Sequence, residues 1–234
     1  MKNKAKSGFT LAEVLITLGI IGVVAALTAP ALIQNAGNAK IGPTLQKVKS
    51  TIENANEMML LDNTASNLYA VASNVPAYME LLSGYISGSS YNTTVIHYSS
   101  FNPTLTYYGN TTNYKITHFY PFYFSDSITV LFKVNSGGWS EKGSFQGAYI
   151  QAVVDINGTD TSPNKLGKDI FEFYMDYNGV LVPHKCKTEK WLQDSDEHYW
   201  DTAGSEAQCN EDGVDTGYGC AGSIFDNNLK VIYQ

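Results

Sequence analysis

Lys6-Ser7-Gly8-Phe9-Thr10-Leu11-Ala12-Glu13 runs into a stretch, Val14 to Ala39, that contains no ionisable side chain. The apolar segment from Phe9 to Ile33 is long enough for an α-helix to cross about 30 Å of hydrocarbon. It therefore predicts a membrane helix carrying a single carboxylate. Lys2, Lys4 and Lys6 precede the segment, and the next charge after Glu13 is Lys40. The positive-inside bias then leaves the short N-terminal end in the cytoplasm and the rest of the chain outside.

A secretory signal peptide also starts with basic residues and an apolar core. This segment differs in its length and in holding Glu13, since a buried carboxylate costs on the order of 3 kcal/mol unless it stays near the interface or finds a partner. Snorkelling to the cytoplasmic headgroups is one way to meet that cost. A charged partner one helical turn away is another.

The basic leader, the Gly8-Phe9 junction and Glu13 together resemble the processing and assembly signal of type IV pilin-like proteins, which include the pseudopilins of type II secretion. The resemblance is specific over residues 6 to about 35 and looser over residues 148 to 183. It implies that a prepilin peptidase cuts between Gly8 and Phe9, that the new Phe9 amine is N-methylated, and that Glu13 pairs with such an amine on a neighbouring subunit. Pro30 extends the resemblance, and by removing one backbone donor it is expected to bend the helix or melt it locally.

What the resemblance implies for fold is an α+β chain: a long N-terminal membrane-spanning helix whose C-terminal half packs on an antiparallel β-sheet head. The corresponding division is a leader (1–8), a transmembrane and assembly helix (9–33), a soluble continuation of that helix (34–62) and a head with disulfide-containing C-terminal loops (63–234). For function it implies a non-catalytic structural subunit of a pseudopilus or type IV pilus-like filament, acting in secretion or in appendage assembly. The implied partners are other pilin-like subunits, prepilin peptidase, an inner-membrane assembly platform and membrane lipid. The implied location is the bacterial inner membrane, single-pass, and after assembly a periplasmic or surface filament. A membrane-tethered binding module or adhesin using the same leader is the alternative.

At 234 residues the chain has room for the helix and one globular domain of about 150–180 residues. Loss of residues 1–8 removes three lysines and no acid, taking the net charge of −7 three units lower. Such a balance argues against a nucleic-acid partner and favours a soluble outer face. The three cysteines, Cys186, Cys209 and Cys220, all fall on the side where disulfides persist. One bridge is expected; Cys209 to Cys220 closes a short loop and is preferred, while pairings through Cys186 stay open because spacing does not fix connectivity. No C-x-x-C spacing suggests structural zinc.

Across Gly42-Pro43, read as a kink or restart, apolar Ile41, Leu45, Val48, Ile52, Ala55 and Met59 alternate steps of four and three. This is the stripe of an amphipathic helix, opposite Lys47, Lys49, Glu53 and Glu57. Pro76 opens a second helix over 77–86. Strand patterns follow over 94–98, 105–108, 114–124, 128–134 and 148–156, with Ser125-Asp126-Ser127 as a hairpin turn. Asp169 to Asp176 and Val180 to Val182 flank Asn178-Gly179, the strongest hairpin signal in the chain. A last short strand is expected within 223–233.

The best ligand candidate is the loop from Asp155 to Asp169, whose D-x-N-G, P-N and G-x-D elements resemble those of pseudopilin-like subunits, some of which hold calcium in a loop. Asp155, Asn157, Asp160 and Asp169 can offer side-chain oxygens, with backbone carbonyls and water completing a calcium shell. Chemistry permits calcium here, and spacing does not demand it. Glycine at the fourth position and no glutamate at the twelfth exclude an EF-hand register. A turn at Asn157-Gly158 connecting two strands is the plainer reading. No other cofactor is implied. His97, His118, His184 and His198 have no catalytic partner spacing, and Gly138 to Gly143 lacks the lysine of a phosphate loop.

Overall fold

The computed structural model describes residues 10–107, 113, 116–134, 150–176, 178–184 and 219–231. Two compact units divide it between Lys40 and Ile41. The first helix, α1 (Leu11–Asp62), is assigned without a break through Pro30 and Gly42-Pro43, so neither proline stops or restarts it. Proline removes one donor, and the remaining i to i−4 bonds carry the helix past it.

In the first unit, α1 is apolar on all sides. Leu11–Ala29 is long and apolar enough to cross a membrane, and none of that window is buried within the chain. Thr17 and Thr28 return their hydroxyls to the carbonyls of Glu13 and Val24, each at 2.9 Å, so these side chains add little polarity to the surface.

In the second unit the predicted stripe is buried throughout, from Ile41 through Leu45, Val48, Ile52 and Ala55 to Met59. It packs with α2 (Val75–Tyr85), where Asn74 accepts the Ala77 N–H at 2.9 Å as the N-cap and Pro76 occupies the first turn. Val75, Tyr78, Met79 and Leu82 supply the buried face of α2. Gly42 is fixed by close approach: a Cβ there would lie 1.9 Å from the Leu229 carbonyl oxygen.

Among the described residues the sheet is a six-stranded antiparallel meander of β1 (Ser90–Tyr91), β2 (Tyr120–Tyr123), β3 (Thr129–Val134), β4 (Ile150–Asp155), β5 (Ile170–Met175) and β6 (Leu181–Pro183), paired in chain order. Fold class therefore agrees with the α+β, pilin-like expectation. One face of β3, β4 and β5, including Val130, Phe132, Ala152, Val154, Phe171 and Phe173, joins the α1 and α2 core. The other face, with Leu131, Val153 and Ile170, meets Phe101, Leu105, Phe119 and Leu166 in a second cluster. A sheet covered on both faces has little alternation left in β4 and β5.

Both expected hairpin turns form. Phe124 N–H donates to the Ile128 carbonyl at 2.9 Å across Ser125-Asp126-Ser127, and Gly179 N–H donates to Asp176 O at 3.0 Å. Three expectations need correction. Residues 94–98 and 105–107 contribute only isolated bridges, Ile96 to Phe119 and Thr106 to Asn113 and Lys165. Of 114–124, only Tyr120–Tyr123 is a strand among the described residues. Ser223-Ile224-Phe225 lies in a helix, α3 (Cys220–Asp226), and no strand occurs in the described residues after it. The reason is packing: Cys220, Ala221 and Ile224 are spaced to bury one helical face in the first core.

Candidate functional site

Among the described residues, three places concentrate chemistry. At the start of α1, Thr10 N–H and Thr10 Oγ1 both donate to Glu13 Oε2 at 2.8 Å, while Glu13 N–H donates back to Thr10 Oγ1 at 3.3 Å. Thr10-Leu11-Ala12-Glu13 is thus a capping box, in which threonine and the residue three positions on satisfy each other's orphan donors. The same carboxylate is the sole charge in Leu11–Ala29. Around it Leu11, Leu15 and Ile16 stand exposed. Gly8 and Phe9, the expected cleavage pair, lie outside the described residues.

The second place is the β4–β5 connection. Asp155 ends β4 opposite Ile170 in the register, and Asp169 immediately precedes β5, so the antiparallel pairing brings the two carboxylates to one end of the sheet. Both are buried. Asp155 Oδ1 accepts the Asn157 and Gly158 N–H groups at 3.1 and 2.9 Å. Asp169 Oδ1 accepts Lys165 N–H at 2.7 Å, and its Oδ2 accepts Asn164 N–H at 2.8 Å and Asn157 Nδ2 at 3.3 Å.

Among the described residues, three buried oxygens in this loop have no hydrogen-bond partner: Asp155 Oδ2, Asn157 Oδ1 and Asn164 Oδ1. Each unsatisfied buried acceptor costs about 1–3 kcal/mol. None of the ion pairs among the described residues involves Asp155 or Asp169. Burial pushes the Asp155 carboxyl up to about 7, against the pull of the Asn157 N–H and with a further push from the Asp169 charge. Burial raises Asp169 as well, opposed chiefly by the Lys165 and Asn164 N–H groups.

Of the four predicted calcium ligands, the structure brings together Asp155, Asn157 and Asp169. Asp160 is exposed. Asn164 was not anticipated, although the asparagine following Pro163 is a turn residue whose side chain commonly serves the local backbone. Here its Nδ2 donates to the carbonyls of Pro103 and Thr159 at 2.8 and 2.9 Å.

A third grouping has no sequence signal, because the sheet register creates it. Glu172, buried on β5, takes a hydrogen bond from Gln151 of β4 and lies 3.1 Å from His184 Nδ1. His184 Nε2 in turn lies 3.3 Å from the Tyr174 hydroxyl. His97 and His118 pack edge to face at 5.5 Å. Among the described residues no group of three or more His, Cys, Asp or Glu side chains comes together. Cys220 is disulfide-bonded; Cys186, Cys209, His198 and the acidic run around them lie outside the described residues.

Residues 3–29 match the prokaryotic N-terminal methylation motif. The chain therefore carries the prepilin-type leader found on type IV pilins and pseudopilins. Comparison with curated proteins and with solved structures gives no match.

Proposed function

We propose that this chain is a structural subunit of a type II secretion pseudopilus or a type IV pilus-like filament. Prepilin peptidase cuts between Gly8 and Phe9, the Phe9 amine is methylated, and the mature subunit waits in the bacterial inner membrane with its head outside the cytoplasm. The observation that carries this reading is the placement of one carboxylate, Glu13, in the otherwise apolar Leu11–Ala29 span of α1, none of which is buried within its own chain. Such a surface is stable only against lipid or against other apolar helices, and packing like helices side by side gives a filament.

Glu13 then has two successive partners. In the single subunit it closes the capping box with Thr10; in the filament its charge meets the methylated amine of a neighbour, an ion pair made where water is scarce. The chain catalyses nothing itself, and its work is mechanical. Its other partners are related subunits and an inner-membrane assembly platform. In the head, Cys220 is disulfide-bonded, and Cys209 is its preferred partner, with Cys186 the alternative.

Co-expression with and without the peptidase, followed by filament pull-down, tests the reading. Cleavage at Gly8–Phe9 and sedimenting filaments are expected only with the peptidase. Glu13→Gln separates the two partners, because glutamine can close a capping box and cannot pair as an ion. It is expected to be cleaved, remain in the membrane and fail to assemble, as is Glu13→Ala. Filaments of Glu13→Gln at wild-type yield would overturn the ion-pair role.

A further inference from the structure

We propose that Asn178 is a site of spontaneous covalent modification, losing its side-chain amide through a cyclic imide to leave aspartate or isoaspartate in the β5–β6 turn. The sequence holds two Asn-Gly pairs, Asn157-Gly158 and Asn178-Gly179. In both, the nucleophile is a glycine nitrogen, with no Cβ beside it to hinder ring closure. Sequence therefore makes the two asparagines equally labile, and the fold separates them.

In the step, the Gly179 nitrogen gives up its proton and bonds to Asn178 Cγ, while Nδ2 leaves as ammonia. Water then opens the five-membered ring. Addition at Cγ gives aspartate; addition at the main-chain carbonyl carbon gives isoaspartate, in which the chain runs through the former side chain. No atom changes oxidation state, and water is the only co-reactant.

Asn157 is restrained at each group the step uses. Its Nδ2 donates to Asp169 Oδ2 and to the Ser162 carbonyl, each at 3.3 Å, and the Gly158 N–H donates to Asp155 Oδ1 at 2.9 Å. Asn178 is exposed. Its backbone N–H donates to Asp176 Oδ1 at 3.0 Å, and among the described residues its side chain neither donates nor accepts a hydrogen bond. It lines an open groove with Glu53, Glu57 and Leu61, so water reaches the ring. One bond restrains the nucleophile, from Gly179 N–H to the Asp176 carbonyl at 3.0 Å. The two extra hydrogen bonds to be broken at Asn157 slow attack there about tenfold or more relative to Asn178.

The turn registers the product. Asp176 N–H donates to the Val180 carbonyl at 3.0 Å, Asp176 Oδ1 accepts Val180 N–H at 2.9 Å, and the Gly179 carbonyl accepts Asn56 Nδ2 of α1 at 2.8 Å. Isoaspartate places an extra methylene in the main chain between residue 178 and Gly179, inside that set of bonds, and the set cannot be kept whole. Aspartate leaves the backbone as it was and adds one charge close to Asp176, whose carboxyl burial already raises. The modification does not depend on filament formation, and failure of either leaves the other standing.

The test holds the full chain in detergent micelles in mildly alkaline buffer made with heavy-oxygen water, and follows its peptides by mass spectrometry. Asn178 is expected to lose ammonia, take up heavy oxygen and yield both products, with isoaspartate labelled by an isoaspartyl methyltransferase, at least about ten times faster than Asn157. In urea, with turn and loop unfolded, the two rates are expected to converge. Equal rates in the native chain, or an intact Asn178 where the unfolded chain converts, would overturn the proposal. The isoaspartate form is expected to unfold at lower urea than Asn178→Asp, which carries the charge without the insertion. Equal midpoints for those two would overturn the effect on the turn.

Discussion

Two stretches of α1 are equally rich in large aliphatic residues and meet opposite fates. Leu15, Ile16 and Ile21 are each 63% exposed, whereas Leu45, Ile52 and Met59 are fully buried. The difference lies in phase. From Ile41 to Met59 apolar residues return every three or four positions with lysines and glutamates between them, so the helix has one face to hide and a sheet to hide it on. From Leu11 to Ala29 the apolar residues occupy every side, and no single face of one chain can cover them. Hydrophobic content alone does not say whether a helix can bury its apolar residues within its own chain; periodicity does.

The sharpest way to break that comparison is to truncate one isoleucine in each stretch. Ile52→Ala removes a fully buried side chain from the head core and is expected to cost about 2–5 kcal/mol, read as a lower urea midpoint of the head. Ile16→Ala is expected to leave that midpoint within about 0.5 kcal/mol of wild type and to reduce filament yield instead. Equal losses of head stability from both would mean that the N-terminal stretch is already covered within the subunit.

A smaller effect probes how the head grips its own part of α1. Gly179, at φ +83°, turns the β5–β6 hairpin directly beneath Asn56, and a Cβ there would come within 2.7 Å of the Asn56 Cβ. Asn56 cannot easily withdraw, since its Nδ2 donates to Gly179 O at 2.8 Å and its Oδ1 accepts the Tyr78 hydroxyl at 2.9 Å. Gly179→Ala combines left-handed backbone strain of about 1–2 kcal/mol with that collision, so a total loss of about 2–3 kcal/mol is expected by urea denaturation. A loss under about 1 kcal/mol would mean that the hairpin can lift from α1 without penalty.

The same contrast explains what could be read from the chain. Features set by neighbours in sequence were legible: the α1 stripe, Pro76 at the start of α2, and the Ser125-Asp126-Ser127 and Asn178-Gly179 turns. Features set by distant partners were not. Residues 94–98 look like a strand by composition, yet Thr94 N–H bonds back to Asn92 Oδ1 and only Ile96 finds a sheet-like partner. Glu172 and His184 meet because β5 and β6 pair. In the loop, Asp155, Asn157 and Asp169 were visible as oxygen donors, but the part played by Asn164 depends on Pro103, far away in the chain, holding its amide.

The mildest test concerns how each unit starts a helix. Thr10 and Glu13 cap α1 in the first unit, and Asn74 caps α2 in the second, its side-chain oxygen accepting the Ala77 N–H at 2.9 Å. Asn74→Ala leaves that donor without its cap and is expected to cost about 1 kcal/mol, with an unchanged urea slope because little surface is altered. Asn74→Asp retains an accepting oxygen and should lie within about 0.5 kcal/mol of wild type. The aspartate control matters because α2 also buries Val75, Tyr78, Met79 and Leu82. Were Asn74→Ala as stable as both, the buried face alone would fix where α2 begins, and capping would count only in the first unit, where α1 buries no face within its own chain.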